Sequence, residues 1–286
     1  MRHDPPLTYD CIRCGHSCRS FEVQVELAEA ERLGLSGSPG RPGFLVLPTT
    51  TQGCSYLTAD SLCGLHCDRG PEAKPSACRS FPLVARHTPD GLFTGLSFCC
   101  TAVRTQHGRP LAQHDLAGVE LEPVPEAGYD EYVELESRLR AGLDEPADLL
   151  GLAPSEMAGF VVELVLIVEA GHPDNLPALY QKVTEGLLPS RLLGRTVEVG
   201  RPWWTCTPPA DGLALRYLNH VLHRKDLALL DPDLAVVSFV MRAYLLRWYA
   251  HTSGDWSRAV DIVERHAGLH ARGLEPFFAS VAQRLP

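Results

Sequence analysis

Residues 11–18 read CIRCGHSC, and the rest of the chain is best read outward from them. Three thiols, Cys11, Cys14 and Cys18, fall within eight positions. The two-residue gap between Cys11 and Cys14 lets a tight turn aim two thiolates at one metal, and Gly15 lets the chain bend directly afterwards. Further along come Cys54, Cys63, Cys67, Cys78, Cys99 and Cys100; only Cys206 lies beyond residue 101. The same N-terminal part is rich in Gly and Pro, with SGSPGRPG from Ser36 and DRGPEAKP from Asp68. Such a segment makes loops, short elements and one amphipathic helix near residues 25–33. Bound metal supplies the stability that its small apolar content does not, because ligand binding becomes folding free energy.

From about Tyr129 onward the pattern changes to helices. Tyr132, Leu135, Leu139 and Leu143 recur at three- and four-residue steps and share a face. Glu134 with Arg138, and Glu136 with Arg140, are i,i+4 pairs expected on the wet side. Pro154-Ser155-Glu156 opens an apolar helix that stops near Gly171-His172-Pro173. Asn175 is positioned to cap the segment LPALYQKVTEGLL. Ala214, Tyr217, Leu218, Val221 and Leu222 form another stripe, and Leu234, Val237, Met241, Tyr244, Leu245 and Trp248 the best one. Two more helices are expected at 256–266 and 274–285. The polar, Pro-bearing stretch 105–127 reads as a linker or a loop packed on the body.

The fold class that follows is mainly α: an irregular cysteine-rich metal-binding region over 1–105, packed on a C-terminal helical domain over 106–286. Any small strands are expected within the first hundred residues. The chain has 286 residues and a formal charge of −9, with no run of Lys or Arg, which argues against nucleic acid as a partner. The opening MRHDPPLTYD has no apolar signal segment, and the apolar stretch near 158–168 is too short for a bilayer. A cytoplasmic protein without a membrane partner is expected, and in a reducing compartment clustered cysteines mean metal more often than disulfides.

Four thiolates satisfy tetrahedral zinc, and four also hold a [4Fe–4S] cluster. Eight or nine cysteines therefore suffice for two four-ligand sites, or for one site with spare thiols. Cys206, Cys67 and Cys100 also suit buried structural thiols. His16, His66 and His87 lie among the cysteines but read as surface histidines. His220 and His223 share a helix face, read as solvated, and Trp203-Trp204 reads as core. Arg79 either donates to cluster sulfurs or forms a structural ion pair. Phe81-Pro82, with Tyr56 and Leu57, suits an apolar lid that limits solvent at the site.

The pattern Cys11-x-x-Cys14-Gly-x-x-Cys18, then Cys54-x-x-Leu57, Cys63, and Lys74-Pro75-x-x-Cys78-Arg79-x-Phe81-Pro82, resembles the YkgJ-type zinc- or iron-chelating cysteine-cluster proteins. Leu96-Ser97-Phe98-Cys99, and Arg216-Tyr217-Leu218-Asn219-His220 before a long apolar helix, are similar to the flagellin lysine N-methylase (FliB-like) branch. The motifs cover about the first 105 residues. The resemblance implies an iron–sulfur cluster, with Cys11, Cys14, Cys18, Cys54, Cys63, Cys78 and Cys99 as ligand candidates and Arg79 and Phe81 beside the cofactor. In the methylase branch it also implies methyl transfer from S-adenosylmethionine to a lysine of a protein substrate. The family often pairs two cysteines at the third position; here Arg19 follows Cys18, leaving Cys67 or Cys100 as substitutes. Lys74 stands where the family has arginine, and the chain is shorter than the flagellin enzymes.

The residues themselves show no Gly-rich strand–loop–helix motif of the usual methyltransferase domain and no CxxxCxxC. Three readings stand side by side: an iron–sulfur-dependent lysine methylase, a zinc- or iron-stabilised scaffold without catalysis, and a thiol redox or metal-handling protein. More matched cysteines than one structural zinc needs favour a cluster or a two-metal site.

Overall fold

Tyr132, Leu135 and Leu139 fold as expected, on the buried face of the helix Tyr129–Ala141, whereas Leu143 lies past its end. The computed structural model that shows this describes residues 7–116, 118–200, 202–209, 212–268 and 271–285, without the side chains of Ala271 and Arg272. The opening MRHDPP lies outside those residues. Twelve α-helices occur among the described residues, so the chain is mainly α. It forms two units, one of Pro6–Ala85 with Thr94–Glu122, the other holding Arg86–Phe93 and Pro123–Pro286.

The second unit is built around the helix Pro232–Ser253. Asp231 caps it by accepting the Asp233 N–H at 3.1 Å, with Pro232 in the first turn where its missing N–H costs nothing. Its sequence is apolar on every side, and residues from Val237 to Ala250 are buried without a break. The helices Trp256–Val263, Pro154–Ala170, Leu213–His223 and Glu275–Ala282 and the Trp203 turn surround it. Trp203 meets Trp248 edge-on at 5.3 Å between ring centres, which seats that tryptophan in the core as expected. In Pro154–Ala170, the Glu156 carboxylate accepts the Ala153 N–H at 2.6 Å, closing the helix start. None of these helices is long and apolar enough to cross a membrane.

Four expectations need correction. The helix expected over LPALYQKVTEGLL ends at Thr184, and Leu187–Ser190 pairs antiparallel with Arg195–Glu198. Pro189 cannot donate in a helix, and Leu188 and Ser190 alternate into the core as strand residues do. Strands therefore occur outside the first hundred residues. Asn175 does not cap that helix; its side-chain amide donates to the Ala170 carbonyl at 2.8 Å and ties back the preceding helix end. Glu136 is not on the wet side: it pairs with Arg140 at 3.0 Å, but it is buried and also accepts from Lys225. His220 is buried, its ring stacked on His223 at 5.6 Å, where a solvated face was expected.

The cysteine-rich unit has little regular structure. One core cluster gathers Val25, Ala30, Leu35, Leu47, Leu65 and Ala73, with Tyr56 and Cys63 packed against them, and Leu96, Phe98, Ala102 and Val103 of the same unit are also buried. The amphipathic helix begins at Leu27, later than expected, because Gln24–Glu26 pairs with Phe44–Val46 first. Part of the stretch 105–127 packs on this unit, since Arg109–Pro110 pairs with Thr8–Tyr9.

Candidate metal centre

Cys18 sits in the one-and-a-half-turn helix His16–Ser20, which Gly15 opens from the left-handed region at φ 65°. Beneath it runs the short strand Gly53–Cys54. A Cβ on Gly53 would stand 2.5 Å from the Arg19 Cα and 2.6 Å from the Cys18 carbonyl oxygen. Only glycine allows this approach, which sets Cys54 beside Cys18. Cys63 is brought back by an isolated bridge to Leu57 and by the Gly64 N–H donating to the Tyr56 carbonyl at 2.7 Å. Cys78 lies in the helix Ser76–Ser80, anchored where Ser76 donates from its backbone N–H and hydroxyl to Glu29 at 3.0 and 2.9 Å.

These four thiols come from four separate segments, yet they feel one another. Burial pushes the Cys78 thiol up to about 12, against the pull of Lys74, and Cys18, Cys54 and Cys63 push it in the same direction. Burial also raises Cys18, and Cys54 and Cys63 add to the shift. Cys54 is raised by burial and by Cys63, opposed by the Tyr56 N–H. Neighbouring thiolates repel, so an added positive charge would stabilise all four together.

A second group forms around the ends of the unit. Thr8–Tyr9 pairs with Arg109–Pro110, and Asp10 holds Arg109 at 2.9 Å through its backbone N–H and 3.1 Å through Nε. The Asp10 N–H donates to the His107 carbonyl at 2.8 Å. This puts Cys11 near Cys100, the residue that opens the helix Thr101–Arg104. The Cys100 thiol is raised by burial, lowered by the Val103 and Ala102 N–H groups, and raised again by Cys14 and Cys11. Tyr9 is pushed up by burial first, then by Cys11 and Cys100.

Arg19, at the position where the resemblance leads one to look for a second cysteine, links the loops. Its guanidinium donates to the Cys14 carbonyl at 2.7 Å and to the Ser61 hydroxyl at 2.6 Å. Tyr9 carries no motif signal in the sequence, and Arg19 and Lys74 stand there only as departures from the family pattern; their contacts come from loops that meet only in the fold.

Other candidates sit elsewhere. Cys99 is wholly buried and Cys67 exposed, and Cys206 belongs to the helical unit. Arg79 pairs with the exposed Glu72 at 2.7 Å, an arrangement worth little to stability. Phe81 meets Phe21 edge-on at 6.1 Å. His66 and His87 are exposed, and His16 is half-buried.

Among the described residues, no three His, Cys, Asp or Glu side chains converge closely enough for one metal ion. The sulfurs are neighbours rather than a closed cage. Around mononuclear zinc, with bonds of about 2.3 Å, tetrahedral sulfurs stand only about 3.8 Å apart. A four-iron cluster, binding one thiolate per iron, holds its sulfurs further apart. The donor set Cys18, Cys54, Cys63 and Cys78 fits such a cluster in kind and in number. No family model, no curated protein and no solved structure matches this chain.

Proposed function

We propose that the chain is an iron–sulfur protein whose cluster is held by Cys18, Cys54, Cys63 and Cys78, and that it acts as a lysine N-methylase on a protein substrate. The observation that carries the metal reading is the meeting of four free thiols from four segments, with Cys18, Cys54 and Cys78 raised by burial and by one another's charge or that of Cys63. Cys11, Cys14 and Cys100 are the neighbouring thiols, and Cys99, beside Cys100 in the chain, is wholly buried. A bound cluster supplies positively charged, redox-active iron. The protein's own residues do the holding: Gly53 brings two cysteine segments together, Arg19 ties the loops, and Lys74 balances thiolate charge at Cys18 and Cys78.

The methylase reading rests on the motif resemblance. In it a neutral lysine amine attacks the methyl carbon of S-adenosylmethionine; the C–S bond breaks, an N–C bond forms, and the amine loses a proton. A second reading, a zinc- or iron-stabilised scaffold, is favoured by the scarcity of regular structure around the cysteines, which a bound metal would staple.

The deciding experiment is iron and acid-labile sulfide analysis of protein purified without oxygen, followed by an S-adenosylmethionine assay on lysine-rich flagellar protein. About four irons and four sulfides per chain, with methyl transferred, support the proposal. Cluster without transfer leaves only the iron–sulfur part standing. Colourless protein with zinc and no sulfide makes the scaffold the correct account.

A further inference from the structure

Ser238 and Arg242 stand four residues apart on Pro232–Ser253 and therefore on one face of that helix. Both are fully buried. Among the described residues, the Ser238 hydroxyl and all three guanidinium nitrogens of Arg242 lack a hydrogen-bond partner. A guanidinium keeps its charge inside a protein and offers five N–H donors and no acceptor. Asp226 pairs with it at 3.9 Å from Nη1, too far for a hydrogen bond. That carboxylate is already engaged: Oδ2 accepts from Arg224, and Oδ1 pairs with Arg86 at 2.9 Å. Glu264 is taken up by Arg224, at 2.7 and 3.1 Å. The charged and titratable groups around Arg242 are thus Arg86, Arg224, Asp226, Glu264 and Tyr217.

Two donors one turn apart, buried, one of them charged, and neither hydrogen-bonded among the described residues make an incomplete site. Leaving such donors bare is costly, and a cation without close partners adds to the cost. What completes the site must accept hydrogen bonds and carry negative charge. A water molecule could accept from Arg242, but it would bring no negative charge to a group of three guanidinium ions, Arg86, Arg224 and Arg242, and two carboxylates, Asp226 and Glu264. Full burial excludes anything large. We propose that the helical unit encloses a small monovalent anion of the halide class, held by the Arg242 guanidinium and the Ser238 hydroxyl. The anion is a structural ligand: it completes the charge network that fixes Pro232–Ser253 against Asp226. This inference is independent of the metal centre.

The test uses the full chain purified in bromide and crystallised from it. An anomalous bromide peak in contact with the Arg242 guanidinium is the expected result. In parallel, thermal and urea unfolding are measured at fixed ionic strength while chloride replaces gluconate, which is too large to be enclosed. Above the dissociation constant, the folded-to-unfolded ratio should rise about tenfold for each tenfold increase in chloride. Arg242→Met should remove that dependence, and Ser238→Ala should weaken halide binding roughly tenfold. Water at the site in place of a peak, or equal stability in chloride and gluconate, overturns the proposal. The bromide diffraction on the unaltered chain decides the matter even where Arg242→Met fails to fold.

Discussion

At Asp226 one carboxylate faces three guanidinium groups, those of Arg224, Arg86 and Arg242. Burial alone would raise its pKa, but the three cations outweigh burial and hold it below the usual 3.8. A carboxyl depressed in the folded state contributes stability that is present above its unfolded pKa. That contribution is lost as the pH falls through the lower folded value. Asp226→Asn should therefore destabilise the protein by about 3–5 kcal/mol near neutrality, because it leaves buried cations without their partner. Measured by urea unfolding, the gap between variant and parent should shrink as the pH drops below about 4; a gap independent of pH would show that Asp226 is not charged in the fold. At the thiols, Cys18→Ser and Cys54→Ser should abolish iron and sulfide content. Cys206→Ser, in the other unit, should leave both unchanged.

Between elements, the proposed metal centre depends on backbone approach as much as on sulfur. Gly53→Ala places a methyl group where the Arg19 Cα and the Cys18 carbonyl now lie, at a φ of 108° that a side chain rarely adopts. The expected result is loss of cluster with the helical unit still folded, read as iron content against helical circular dichroism. Intact iron content would show that Cys54 does not need this packing. In the helical unit, Leu164→Ala opens a cavity in the fully buried face of Pro154–Ala170 and should cost about 2–5 kcal/mol in urea unfolding, without altering metal content. The helical elements were legible because long stripes such as Leu234 to Trp248 exceed any strand in length. The hairpin Leu187–Ser190 with Arg195–Glu198 was not, because LPALYQKVTEGLL keeps a helical rhythm through the position where Gly186 and Pro189 end it.

For the molecule as a whole, the two units differ in what stabilises them. Pro232–Ser253 is surrounded by apolar helices, whereas the cysteine-rich unit has six buried residues in its core cluster. Removing metal with a chelator under reducing conditions should speed amide hydrogen exchange in residues 7–85 by at least tenfold and leave Pro232–Ser253 protected. Uniform exchange before and after would mean that metal does not stabilise that unit. The sequence by itself determined the helical character of the second half and the crowding of cysteines in the first hundred residues, because periodicity and composition are local properties of a chain. The tertiary structure alone decided which thiols are neighbours: Cys18 meets Cys54, Cys63 and Cys78, and Cys11 meets Cys100, through loops closed by Gly53 and Arg109. It also decided that Glu136, His220, Ser238 and Arg242 are buried. A polar residue on a helix reads as solvated unless its partners are known, and those partners lie tens of residues away, where spacing along the chain carries no signal.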